Sequence, residues 1–256
     1  MRKREYTLTS RKVEKGFRAA IVADLHDRSY DRILPLLNEI KPDMILVPGD
    51  LSEALHRYAP DDMKQGLSFL REATQIAPTF YALGNHEIGA RHKDLLRHGD
   101  AHPQGDRLHP YWREAIRLSG ATLLDESFVT WRGITIGGLG SGLLQKGRKP
   151  DLTWLKEFES QKGYKLLLCH HPEYYDRYLR QMDIDLVVSG HAHGGQWRFF
   201  GRGVYAPDQH LFPKYTSGVH ENRLVISRGV ANTVAPIPRL FNPCEVVVVR
   251  VEGGGR

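Results

Sequence analysis

The sequence predicts an α/β protein built on parallel strands. Two β-α-β units run back to back in its first third, alternation resumes in its second half, and the apolar runs close on clusters of polar residues. Successive β-α-β units impose a parallel sheet with right-handed crossovers. Sites in such sheets gather beyond the carboxyl ends of the strands, where these clusters lie.

Each element has its own signal. Phe17 to Ala23 is a short apolar run ending at Asp24-Leu25-His26-Asp27. Ile33, Leu34, Leu36, Leu37 and Ile40 then recur at helical spacing until Lys41-Pro42 stops the helix. Met44 to Val47 is a buried strand ending at Pro48-Gly49-Asp50. A second helix is predicted over Asp61 to Gln75, with Met63, Leu67 and Leu70 on one face, and a third strand over Thr79 to Leu83, ending at Gly84-Asn85-His86-Glu87. Ile88 to His109 carries four histidines among many charges and little periodicity, and reads as an exposed insertion near the site.

Beyond it, a helix is predicted around Tyr111 to Ser119, a strand over Thr122 to Glu126, and a hairpin of Phe128 to Trp131 with Ile134 to Ile136 turning at Arg132-Gly133. A helix around Leu152 to Glu159 leads to strand Lys165 to Cys169 and to His170-His171-Pro172. A short helix over Glu173 to Arg180 precedes strand Asp185 to Val188 and the segment Ser189-Gly190-His191-Ala192-His193-Gly194-Gly195-Gln196. A long loop over Gly201 to Gly218 and strands Leu224 to Ser227 and Glu245 to Val251 complete the chain.

The 256 residues suit one domain spanning 1–256. With 41% hydrophobic and 26% charged residues, disorder is excluded. No run of about 18 apolar residues is present, which excludes a membrane-spanning helix. The basic start is not followed by an apolar signal stretch, so a cytoplasmic protein is expected. Cys169 and Cys244 lie far apart, each beside an apolar run, and read as core thiols. A net charge of +6 favours acidic partners, among them phosphorylated substrates, lipid headgroups and nucleic acid.

The polar clusters supply Asp24, His26, Asp50, Asn85, His86, His170, His191 and His193. Oxygen and imidazole groups without thiolate suit Mn, Fe, Zn, Ni or Co. A lone D-x-H or G-D carries little information; G-N-H-E is more specific, and G-H-x-H after a buried strand more so, because it brings two imidazoles close together. All of them in this order, each closing an apolar run, form a strong joint pattern.

The series D-x-H, G-D, G-N-H-[DE], H and G-H-x-H resembles the signature of the calcineurin-like metallophosphoesterase superfamily, here over residues 17 to 193. The continuation G-H-A-H-G-G-Q-W at 190–197, with Pro213-Lys214-Tyr215, Gly218 and Ser227-Arg228-Gly229, is similar to a bacterial branch of stand-alone phosphoesterases that includes relatives active on lipid-linked nucleotide sugars. The resemblance implies a four-layer αββα sandwich with two mixed β-sheets and metals at one end. It implies two divalent ions, Mn²⁺ foremost. Asp24, His26 and His193 would hold one ion, Asn85, His170 and His191 the other, and Asp50 would bridge them. In the pair His170-His171, the H-x-P pattern selects His170. His86 would protonate the leaving oxygen or stabilise its charge. Two ions about 3.5–4 Å apart share and acidify a water and polarise a phosphoryl group, so the implied reaction is phosphodiester or phosphomonoester hydrolysis by a metal-bridging hydroxide.

Some features depart from the pattern or leave alternatives. Asp27 adds a carboxylate expected to border the site, and Pro243-Cys244-Glu245 interrupts the usual Pro-Glu. Gly194 and Gly195 serve either a tight turn or a close backbone approach to phosphate. One alternative activity is pyrophosphate cleavage in a nucleotide-sugar lipid, for which Trp197, Phe199, Phe200, Tyr205 and Phe212 would line an apolar groove, although ordinary packing would also account for them. Another class altogether is a non-catalytic metal-binding scaffold; the presence of His86 and of every ligand position argues against it. No protein partner is implied.

Overall fold

The computed structural model describes residues 1–53, 63–88, 108, 110–142, 149–231 and 238–254. Two six-stranded mixed sheets stack face to face with helices on their outer sides. The first sheet runs in the order β1 (Arg2–Ser10), β16 (Glu245–Gly253), β2 (Phe17–Ile21), β3 (Met44–Val47), β4 (Thr79–Ala82) and β5 (Thr122–Leu124). The steps from β2 to β5 are parallel, whereas β16 is antiparallel to β2. The second sheet runs β14 (Gly218–His220), β15 (Leu224–Ile226), β9 (Leu186–Ser189), β8 (Tyr164–Cys169), β7 (Ile134–Leu139) and β6 (Ser127–Trp131). Its inner steps are parallel, and hairpins close both edges.

Strand alternation divides the apolar side chains into layers. Ala19 and Ile21 of β2 point between the sheets and join Met44, Leu46, Leu166, Leu168, Val188 and Val247 in the central core. Ala20 and Val22 point outward against helices α1 (Ile33–Ile40), α2 (Lys64–Ile76) and α3 (Pro110–Leu118). The far side of the second sheet packs Leu167 and Val187 against α4 (Leu155–Ser160) and the turn Tyr175–Leu179. Three apolar layers between four structural layers give the αββα sandwich that the family resemblance implied.

Most elements fall where the sequence places them, and the differences have physical reasons. Strand β1, Arg-Lys-Arg-Glu-Tyr-Thr-Leu-Thr-Ser, carries no apolar run; it is a charged edge strand that, among the described residues, pairs only with β16. The predicted helix Glu173 to Arg180 is a wide π-type turn over Tyr175–Leu179, with the Arg180 amide donating to Tyr175 O (2.8 Å). The predicted loop from Gly201 to Gly218 contains strands β11 (Arg202–Gly203), β12 (Tyr205–Ala206) and β13 (His210–Leu211). Strand β10 (Arg198–Phe199) pairs with β11, and β12 with β13, as two small hairpins. Cys169 is buried as expected, while Cys244 is half-buried; both thiols are free. Apart from Ile88 and Leu108, both buried, the 88–109 insertion lies outside the described residues. Among the described residues no helix is long and apolar enough to cross a membrane.

Candidate metal centre

The loops that follow β2, β3, β4, β8 and β9 meet at one end of the sandwich, and backbone hydrogen bonds fasten them together. His26 N–H donates to Asp50 O (3.0 Å), Asp27 N–H to Leu51 O (2.7 Å), and Gly190 N–H to His170 O (3.2 Å). Side chains extend the same lattice: His191 N–H donates to Asp24 Oδ1 (2.9 Å) and His86 N–H to Asp50 Oδ1 (3.0 Å). Asp24, His26, Asp50, His191 and His193 all adopt φ between 45° and 64°. Left-handed backbone is uncommon for non-glycine residues and clusters at functional sites.

Two groups of side chains form around Asp50. In one, His170 Nδ1–H donates to Pro48 O (2.8 Å), so that in the neutral ring Nε2 carries a lone pair. That nitrogen faces Asp50 Oδ2 at 3.0 Å and Asn85 Oδ1 at 3.1 Å. Three acceptors converge there, an arrangement resolved either by a proton on Nε2 or by a cation. His191 completes this group with Asp50 and His170. In the other, Asp24, His26 and His193 lie together. His26 Nε2 and His193 Nε2 are 3.3 Å apart, and Asp24 Oδ2 is buried with no hydrogen-bond partner among the described residues. His26 Nε2 also lies 3.9 Å from Asp50 Oδ2.

Protonation follows from burial and neighbours. Burial pushes His26 down to about 3 and His191 down to about 4, with His171 adding to the latter. His193 is held well below the usual imidazole range by burial and by His26. These rings are neutral, as metal ligation requires. Burial would also lower His170, but Asp50, Asp24 and Glu87 outweigh it and raise it to about 9. Asp24 is pushed up to about 6 by burial, with Asp50 adding repulsion. For Asp50, burial is overcome by His170 and His86, which hold it well below the usual carboxylate range. Two buried carboxylates, an orphaned oxygen and neutral imidazoles fit a divalent cation, which would relieve the charge repulsion and engage the converging lone pairs.

Further residues support the cluster without having been assigned from the sequence. Glu87, fully buried, accepts from the backbone amides of Asp50 (3.0 Å), Ser52 (3.0 Å) and Gly84 (2.7 Å) and from Ser52 Oγ (3.2 Å). It ties the G-D and G-N-H-E loops together, and its place in the second motif was the available signal. His191 Nε2 lies 3.0 Å from Asp208 Oδ2, and His171 Nδ1 lies 2.9 Å from Glu173 Oε1. Thus His170 faces Asp50, while His171 faces Glu173 and Ser141. Arg239 donates from Nη2 to His193 Nδ1 (3.0 Å), so a cation ligated through that nitrogen must displace it.

Other expectations are refined. Asp27 does not offer its carboxylate to the cluster: Oδ1 accepts from Gly66 N–H (2.9 Å) and caps the first turn of α2. Gly194 and Gly195 have φ of 66° and 79°; a Cβ would lie 2.2 Å from Asn242 Oδ1 at the first and 2.4 Å from Gly203 Cα at the second. A tight turn under close packing accounts for both. His86 is one-quarter exposed, and its Nδ1–H donates to Glu53 O, which turns Nε2 toward Asp50 Oδ2 at 3.9 Å.

The calcineurin-like phosphoesterase family model matches residues 17–195, a span that contains every one of these candidate ligands. The chain belongs to the calcineurin-like phosphoesterase family. The matched domain is that of a metal-dependent phosphoric ester hydrolase. An uncharacterised metallophosphoesterase of Campylobacter jejuni is 31% identical over 90% of this chain and 56% of its own length. A second uncharacterised metallophosphoesterase, from Aquifex aeolicus, is 27% identical over 100% of this chain and 93% of its own. Phosphodiesterase YaeI of Escherichia coli is 27% identical over 84% of this chain and 76% of its own. The chain thus spans little more than half of the Campylobacter phosphoesterase and nearly all of the Aquifex one.

Proposed function

We propose that this phosphoesterase hydrolyses a phosphodiester or phosphomonoester with two divalent ions held around Asp50. One observation carries the reading: Asp50 Oδ2 lies 3.0 Å from His170 Nε2 and 3.9 Å from both His26 Nε2 and His86 Nε2. A single carboxylate oxygen therefore stands between two histidine groups. Asp24, His26 and His193 would hold one ion, Asn85, His170 and His191 the other, and Asp50 would serve both. When bound, the pair would supply positive charge for the phosphoryl oxygens and acidify water for in-line attack.

The chain's own groups do the rest. His86 has Nδ1 engaged by the Glu53 carbonyl, leaving Nε2 as its reactive nitrogen. Burial lowers its pKa, but Asp50 and the Glu53 carbonyl more than reverse this, favouring the protonated ring that a leaving oxygen needs. Its partial exposure gives a substrate access that the buried histidine and aspartate ligands lack. The name of the Escherichia coli relative supports a diester substrate. The exposed aromatic residues of the 197–212 hairpins keep pyrophosphate cleavage in a nucleotide-sugar lipid as a second reading.

Turnover of bis-p-nitrophenyl phosphate and p-nitrophenyl phosphate by metal-stripped protein refilled with Mn²⁺ tests the proposal, beside metal analysis of the protein as purified. Diester hydrolysis is expected. His86→Ala should retain its metals and lose about 10²–10⁴-fold in kcat. Two metals bound with no activity on either ester would favour the scaffold reading.

A further inference from the structure

Eleven large apolar side chains are exposed among the described residues, and eight of them fall within 197–212 and 240–241. The Trp197–Leu240 backbone bridge joins these segments, and the rings of Phe199 and Phe241 meet edge to face at 5.9 Å. Phe200 is fully exposed, Phe212 is 79% exposed and Phe241 72%. All three have φ between 50° and 54°, a costly backbone for a bulky residue that gains little burial in return. Large exposed apolar patches mark interaction surfaces.

Beside the phenylalanines lies an open cavity of about 460 Å³, lined by Arg2, Arg4, Arg198 and Arg228 together with Phe199 and Phe241. Glu245 is the carboxylate that answers them, 3.5 Å from Arg228 Nε and 4.0 Å from Arg4 Nε. Arg198 spends its donors on Gly194 O, Gly201 O and Thr216 Oγ1. Among the described residues, four guanidinium groups face one carboxylate, which leaves the cavity positive.

We propose that this face docks on an anionic lipid bilayer, with the phenylalanines in the headgroup–acyl boundary and the arginines against lipid phosphates. Apolar tips beside a basic cavity are the combination that interfacial binding requires. A second copy of the chain, meeting this face symmetrically, would oppose arginine to arginine. The aliphatic Leu211 and Leu240 suit acyl chains better than stacked bases. The hairpins are also bound to the His193–Gly195 turn: Val204 N–H donates to Gly195 O (3.0 Å). Docking therefore brings the metal centre close to lipid headgroups, a consequence that rests on the phosphoesterase reading, whereas docking itself does not.

Co-sedimentation of the full chain with vesicles tests this, comparing phosphatidylcholine alone with phosphatidylcholine containing phosphatidylglycerol. Binding to the anionic vesicles is expected to be at least about tenfold stronger and to weaken with salt. The triple variant F200S/F212S/F241S and the double variant R2E/R4E should each bind at least about tenfold less. Their circular dichroism spectra and melting temperatures should match the parent, which shows that they fold. Vesicle binding by a chain inactive on the soluble ester would sustain docking and remove the phosphoesterase reading. No preference for anionic vesicles, or unchanged binding by the triple variant, would overturn the proposal. So would self-association or single-stranded RNA binding through these residues without vesicle binding.

Discussion

His191 presents Nε2 to the Asp208 carboxylate at 3.0 Å, across a separation of 17 residues. A neutral imidazole that donates from Nε2 keeps its lone pair on Nδ1. Carboxylate partners of this kind fix the tautomer and orientation of metal-binding histidines, and their loss commonly weakens metal binding 10–100-fold. Asp208→Asn should therefore bind Mn²⁺ about 10–100-fold more weakly by calorimetry, at nearly unchanged melting temperature in chelator. Parental affinity would remove Asp208 from the metal centre.

Gly84 is a second sensitive point. A Cβ there would lie 2.1 Å from Asp50 Oδ1 and 2.6 Å from Asp50 N, inside any tolerable contact. Gly84→Ala must displace the central carboxylate or its loop, and misplacement by about 1 Å can cost ~10²-fold in rate. Steady-state kinetics and metal content would read this out. Full activity would mean that Asp50 does not need its observed position.

Glu87 should matter mainly to stability. Glu87→Ala would strand the amides of Asp50, Ser52 and Gly84 in a buried setting. Unsatisfied buried donors cost about 1–3 kcal/mol each before relaxation, so denaturant unfolding of the metal-free protein should show a loss of about 2–4 kcal/mol. A loss below about 1 kcal/mol would show that water replaces the carboxylate.

A pH effect is expected at Asp176, which joins the π-type turn to the 214–215 segment. Its carboxylate accepts from Lys214 Nζ (2.8 Å) and Tyr215 OH (2.8 Å) and pairs with Arg180. Slight burial would raise its pKa, but the hydrogen bonds from Lys214, Tyr215 and Arg180 reverse this and hold it below the usual carboxylate value. The resulting stabilisation is complete above the unfolded pKa of about 3.9 and fades as pH falls through the lower folded value. Solvent screening keeps it small. Asp176→Asn should melt no more than about 2–4 °C lower at neutral pH and converge with the parent in acid. A constant difference across pH would contradict the assignment.

The sequence by itself determined the strand and helix alternation of the first sheet, the hairpin of β6 and β7, and the positions of seven candidate ligands. Those are local signals: an apolar run becomes a buried strand, and the polar residues that close it must emerge at its end. Strand β1 escaped because a charged edge strand has no apolar run to announce it. Only the tertiary structure decided which carboxylates serve the histidines and which do not. Asp27, adjacent to the D-x-H motif, turns away to cap α2, while Glu87 reaches Asp50 across 37 residues and Arg239 reaches His193 across 46. The aromatic residues of 197–212 could be read from sequence as groove or core; folding leaves them outside. Pairing between distant loops depends on how two sheets stack, and no local pattern of residues encodes that distance.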